Sequence, residues 1–166
     1  MPARPLVVFP DHRLRQQAAA VEAFGPDLAA LGADIADTLR AVSAIGLTGP
    51  HIGVLRRIVV IRLEPAADTH TYVNPAVTWA SAELARHEEG SVSMPGVRET
   101  IARPEHVRIR YQALDGAARD IQFAGFQAAV LQHEIDQLDG IFWIDRLSRL
   151  KRERLVKRYE KLQANA

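Results

Sequence analysis

The sequence predicts an α+β domain. Three observations carry that prediction: helical periodicity in the first third, β-rich runs through the middle, and helical patterns again from residue 126 onward. A chain of 166 residues and 18.4 kDa fits a single domain spanning 1–166, with length enough for a hydrophobic core. Hydrophobic residues at 48% and charged residues at 25% exclude collagen-like and broadly disordered compositions. No internal repeat, low-complexity tract or linker divides the chain. With no cysteine, disulfide scaffolds, thiolate metal sites and cysteine nucleophiles are all removed.

Asp11, after Pro10, is placed to cap a first helix over 12–24, and Gly25-Pro26-Asp27 opens a second. In the second, Leu28, Leu31, Ile35, Leu39 and Val42 recur at offsets 0, 3, 7, 11 and 14, the stripe of a helix packed against a neighbour. It is expected to end near Ile45, before a turn at Gly46. RIVVIRL (57–63), TYVNPAV (71–77) and HVRIRYQ (106–112) read as strands of a mixed or antiparallel sheet, with turn signals at 64–68 and 114–116. EEGSVSMPGV (88–97) reads as a polar loop flanked by Gly90 and Gly96. Phe126 to Leu138 reads as a helix stopped by Gly140. The segment 146–166 reads as a basic C-terminal helix, with Leu155, Tyr159 and Leu162 at offsets 0, 4 and 7.

The formal net charge of +1 points to no DNA partner, but the charge is uneven. From Arg146 to Lys161, eight basic residues face Glu153 and Glu160, a local +6 that leaves −5 elsewhere. Such asymmetry suits a terminal element that meets a polyanion. No apolar stretch approaches the roughly 18 residues of a membrane span, and the opening MPARPLVVFPDHR is too short in apolar residues for a secretory signal. A cytoplasmic protein without a membrane partner is the expectation.

QHEIDQLDG (132–140) carries the most chemistry. On a helix, Phe126, Val130, His133 and Gln137 fall within about 60° of one another, so one inward stripe ends in two polar side chains. A zinc helix of the HExxH type sets two imidazoles four residues apart, with the adjacent Glu acting on metal-bound water. Here the pattern is HEIDQ, and an amide stands where the second imidazole would be. Taken alone, a buried core histidine beside an ion-paired glutamate explains the pair better than a metal site does.

Two further segments change that weighting: GLTGPHIGV (46–54) and EEGSVSMPGV (88–97) precede QHEIDQLDG in order. Together they resemble the three signatures of the peptide deformylase family, GxGLAAxQ, EGCLS and QHExDH. VVFPDHRLRQQAAAVEAF near the start, YVNP at 72–75, Arg103-Pro104 and GIFWIDRLSRLKR at 140–152 extend the resemblance over nearly the whole chain. The resemblance implies small mixed or antiparallel sheets around a central helix carrying HEIDQ, followed by a C-terminal helix. It also implies the family reaction, in which a divalent metal such as Fe²⁺ or Zn²⁺ serves to hydrolyse the N-formyl group from new polypeptide N-termini.

By the same resemblance the metal-ligand positions are Ser91, His133 and Gln137, where the family has one thiolate and two imidazoles. Two of the three carry poor ligands. Glu134 matches the catalytic acid/base, but only a bound metal brings water's pKa from about 15.7 to about 7, a difference on the order of 10 kcal/mol. His51 stands where a Gln amide assists the developing oxyanion, and the backbone N–H of Val92 is the other donor. Ile45, Gly46, Phe126 and Ala129 match the pocket for the first side chain. Glu89 is expected to pair with Arg103, while Thr48 and Gly49 replace two alanines beside the site.

Three functional expectations follow. One is a deformylase-like protein with little or no hydrolytic activity; another is an atypical amidohydrolase whose metal is held by His133 and His51. The third is a non-catalytic module for peptide N-termini, which lie as an added strand at a sheet edge, or for the ribosome through the basic helix. The partners implied are a formylated peptide N-terminus and, through 146–166, the ribosome.

Overall fold

The run Ile58-Val59-Val60-Ile61 is buried throughout, and this fixes the layering of the protein. Successive strand side chains point to opposite faces. Val59 and Ile61 accordingly join one core cluster, with Leu131, Ile135 and Leu138, while Ile58 and Val60 join another, with Leu28, Ile35 and Leu39.

The computed structural model describes residues 3–166. Strands β1 (Gly46–Thr48), β2 (Ile58–Ile61), β3 (His70–Ala80), β6 (His106–Gln112) and β7 (Ala118–Ala124) form an antiparallel sheet in the order β1-β2-β3-β6-β7. Strands β4 (Leu84–Ser91) and β5 (Met94–Pro104) form a separate antiparallel pair. Helix α1 (Pro26–Ala41) covers one face of the larger sheet, and α2 (Gly125–Leu138) touches strands of both sheets. Helix α3 (Arg149–Ala164) packs Leu155 and Tyr159 on β5 and on Phe142 and Trp143, in a third cluster.

The α+β class and the HVRIRYQ strand stand as read from sequence. The first helix does not: Asp11 caps only one turn, His12–Arg15. From residue 16 the backbone bonds tertiary partners instead, Ala18 N–H to Leu138 O and Ala19 N–H to Leu55 O, with Arg57 N–H returning to Ala19 O. Helix propensity yields here to bonds that only the folded chain can supply. Helix α1 stops at Ala41, short of Ile45.

The expected loop at 88–97 is largely paired strand, with Glu89 opposite Glu99 and Ser91 opposite Met94. Its polarity hid it, because β4 has a single buried residue, Glu89. The stripe on α2 is inward only in part: Phe126 is 45% exposed. Likewise Leu162 on α3 remains 43% exposed.

Gly140 ends α2 with φ +76°, and a Cβ there would lie 2.7 Å from the Arg15 carbonyl oxygen. Left-handed backbone and backbone contact both exclude a side chain. Gly140→Ala is expected to lower unfolding stability by about 2 kcal/mol or more in chemical denaturation.

Candidate active site

Helix α2 presents His133, Glu134 and Gln137; β1 and the turn after it present Gly46, Thr48 and His51; the β4–β5 pair presents Glu89, Ser91 and Val92. Most of these meet at one cavity of about 500 Å³, lined by Ile45, Gly46, His51, Ser91, Val92, Phe126, Ala129, His133 and Glu134 among others. Of the residues expected from sequence to be catalytic, pocket-lining or metal-ligating, only Gln137 is not part of this lining.

A charged chain holds His133. Arg103 donates to Glu89 through Nε at 2.6 Å and Nη2 at 2.9 Å, and through Nη1 to Asp136 at 2.9 Å. Glu89 Oε1 in turn accepts from His133 Nδ1 at 2.7 Å. Arg146 closes the far end with two bonds to Asp136, 2.9 and 2.7 Å. Burial pushes Glu89 up, but the hydrogen bonds from His133 and Arg103 outweigh it and hold the carboxyl at about 2. An ionised Glu89 is only an acceptor, so His133 carries a proton on Nδ1. Burial pulls His133 down, yet the Glu89 bond and the charge of Glu134 leave it above the ordinary imidazole value.

Glu134 has different surroundings. It is 4% exposed, and its Oε2 has no hydrogen-bond partner. The nearest imidazole nitrogens are His51 Nδ1 at 3.8 Å from Oε2 and His133 Nε2 at 4.0 Å from Oε1, both beyond hydrogen-bonding distance. Burial raises its carboxyl to about 6, with His133 opposing and Glu89 reinforcing the shift. Gly46 lies close beside it: a Cβ there would stand 2.8 Å from Glu134 Oε1, and Glu134 would have to shift.

His51 is buried and tied to its own turn: the Thr48 N–H donates to Nδ1 at 3.0 Å, and the Thr48 hydroxyl lies 2.8 Å from the same atom. The neutral ring therefore carries its proton on Nε2. Burial first, and the nearby His133 second, depress His51 to about 3. Thr48 thus supplies His51 with its partner.

Gln137 and Ser91, expected at metal-ligand positions, both make other bonds. Gln137, 3% exposed, donates from its carboxamide nitrogen to the Leu14 carbonyl oxygen at 2.7 Å, tying α2 to the N-terminal turn. Ser91 Oγ accepts the Ser93 N–H at 3.1 Å within the β4–β5 turn. Among the described residues, no group of three or more His, Cys, Asp or Glu stands where it could hold a metal ion. The donors present do not fit the family's metal: one imidazole nitrogen, a hydroxyl and an amide turned elsewhere.

Sequence reasoning placed Glu89 against Arg103 but missed its second bond, to His133. It also missed Asp136 and Arg146, and His87, whose ring lies 5.9 Å from that of Phe126 at the cavity. Asp136 sits three residues beyond His133 on the same helix, the spacing that could have suggested a shared network.

The unfolded chain binds a proton at His51 near the ordinary pKa of 6.5, whereas the folded protein does so only near 3. Stability is therefore lost as pH falls from 6.5 toward 3, at up to about 1.4 kcal/mol per pH unit. Relative to His51→Gln, the wild-type protein is expected to lose unfolding free energy progressively across that window. Parallel stability curves for the two proteins would contradict the assignment.

Comparison with known proteins matches this architecture. The family model for polypeptide deformylase covers residues 3–153. A peptide deformylase-like protein of Brucella melitensis is 53% identical over 98% of this chain and 99% of its own length. Another from Bradyrhizobium diazoefficiens is 54% identical over 98% of this chain and 95% of its own. The crystal structure of a peptide deformylase from Legionella pneumophila superposes with a TM-score of 0.88 at 34% identity, covering 99% of both chains. The fold and these relatives together establish that the chain belongs to the peptide deformylase family.

Proposed function

We propose that the protein receives the first residue of an extended polypeptide in this cavity, as a family member with little or no hydrolysis of formyl amides. HEIDQ on α2 is then the counterpart of the family's catalytic helix. The observation that carries the proposal is the Gln137–Leu14 bond. At the position where the family supplies an imidazole, this chain has a buried amide whose nitrogen fastens the N-terminal turn.

Without a fitting metal set, Glu134 faces water of ordinary acidity, and a carboxylate with a pKa of about 6 cannot deprotonate it at a useful rate. What is retained is the binding frame. Ile45, Phe126 and Ala129 offer apolar surface for a first side chain, and Val92 lines the same cavity. The charged chain from Arg146 to His133 needs no metal to stay fixed.

The residues Arg149, Lys151, Arg154, Lys157 and Lys161 on exposed positions of α3 support docking of this helix on ribosomal RNA in the cytoplasm. No helix among the described residues is long and apolar enough to cross a membrane.

Two outcomes test these assignments. Ser91→Cys combined with Gln137→His is expected to gain a bound divalent metal and to cleave formyl-Met-Ala-Ser with a kcat/KM at least about a hundredfold above wild type. Equal activity of the two proteins, at a level typical of enzymes, would refute the low-activity assignment. Ribosome cosedimentation is expected at low salt and to be lost at high salt; no sedimentation at low salt would refute the docking of α3.

A further inference from the structure

The inner end of the cavity offers acceptors to whatever enters it. Glu134 is an almost wholly buried carboxylate with one oxygen unpartnered, and Gly46 packs close enough to fix its position. His133 donates from Nδ1 to Glu89, so in the neutral ring Nε2 is a lone pair, 4.0 Å from Glu134 Oε1 and facing the same space. Charge points the same way. Glu89 is answered by Arg103 and Asp136 by Arg146, whereas among the described residues no Lys or Arg nitrogen reaches Glu134 within salt-bridge distance.

An N-formyl amide suits this centre poorly, because it brings one N–H and a carbonyl oxygen that meets the carboxylate and the imidazole lone pair. An α-ammonium group brings three donors and a positive charge to the unpartnered carboxylate oxygen. A proton on His133 Nε2 can balance the same carboxylate, but an ammonium group also brings a side chain for the apolar wall of Ile45, Val97, Phe126, Ala129 and Val130. We propose that this cavity selects polypeptide termini bearing a free α-ammonium and a long apolar first side chain, with the ammonium set between the Glu134 carboxylate and His133 Nε2. This inference rests on the assignment of the cavity to a peptide N-terminus, and it reverses the preference for the formylated form.

The test is calorimetric titration at pH 7 of Met-Ala-Ser and formyl-Met-Ala-Ser into the wild-type protein and Glu134→Gln. The wild-type protein is expected to bind the free peptide about tenfold or more tightly than the formylated one, the gain of a charge-assisted bond over a neutral one. Glu134→Gln is expected to erase the difference by weakening the binding of the free peptide about tenfold or more. If the wild-type protein binds the formylated peptide as tightly as the free one, held for example by the His51 Nε2–H, the inference is overturned and the peptide cavity stands. If neither peptide binds, both fall. If the preference survives in Glu134→Gln, the ammonium is not seated on this carboxylate and the inference is again overturned.

Discussion

The Arg103 guanidinium is the interaction on which the centre depends. It leaves β5, takes both carboxylate oxygens of Glu89 on β4, and reaches Asp136 on α2. One buried cation thus joins the small β-pair to the helix that bears His133 and Glu134. Burying a guanidinium is costly unless its donors are answered, and here three donor bonds to two carboxylates answer it. The geometry of the cavity follows from that constraint: Glu89 is fixed by Arg103, and His133 is fixed by Glu89.

On the same helix, neighbouring side chains are held in different ways. His133 is oriented by its carboxylate partner Glu89. Glu134 keeps its place against Gly46. Gln137 and Ser91, in contrast, have local partners that give their side chains structural roles, one across to Leu14 and one within the β4–β5 turn. His51 likewise is matched by Thr48 rather than by a neighbour across the cavity. Each of these three polar side chains meets a hydrogen-bond partner that the fold supplies.

Elements built on apolar periodicity were legible in the sequence. The stripe Leu28–Leu39, the buried run Ile58–Ile61 and the alternating strand His106–Gln112 all declare themselves by spacing. The β4–β5 pair did not, because a solvated polar hairpin has little apolar signal. The segment after Arg15 misled, since its alanines favour a helix whereas its backbone bonds go to Leu138 and Leu55. At the site, residue identities were legible through motif resemblance, but partners were not. Nothing in the order of residues announces that Gln137 meets Leu14, a bond spanning 123 positions, or that Glu89 serves Arg103 and His133 together.

The central claim is that one oriented imidazole, without the second imidazole and thiolate, cannot hold a transition metal firmly. Titrating Zn²⁺ into metal-free wild-type protein, followed by isothermal calorimetry, examines it most directly. The account predicts no stoichiometric binding tighter than about 1 μM. One equivalent bound at about nanomolar affinity, and abolished by His133→Ala, would contradict it.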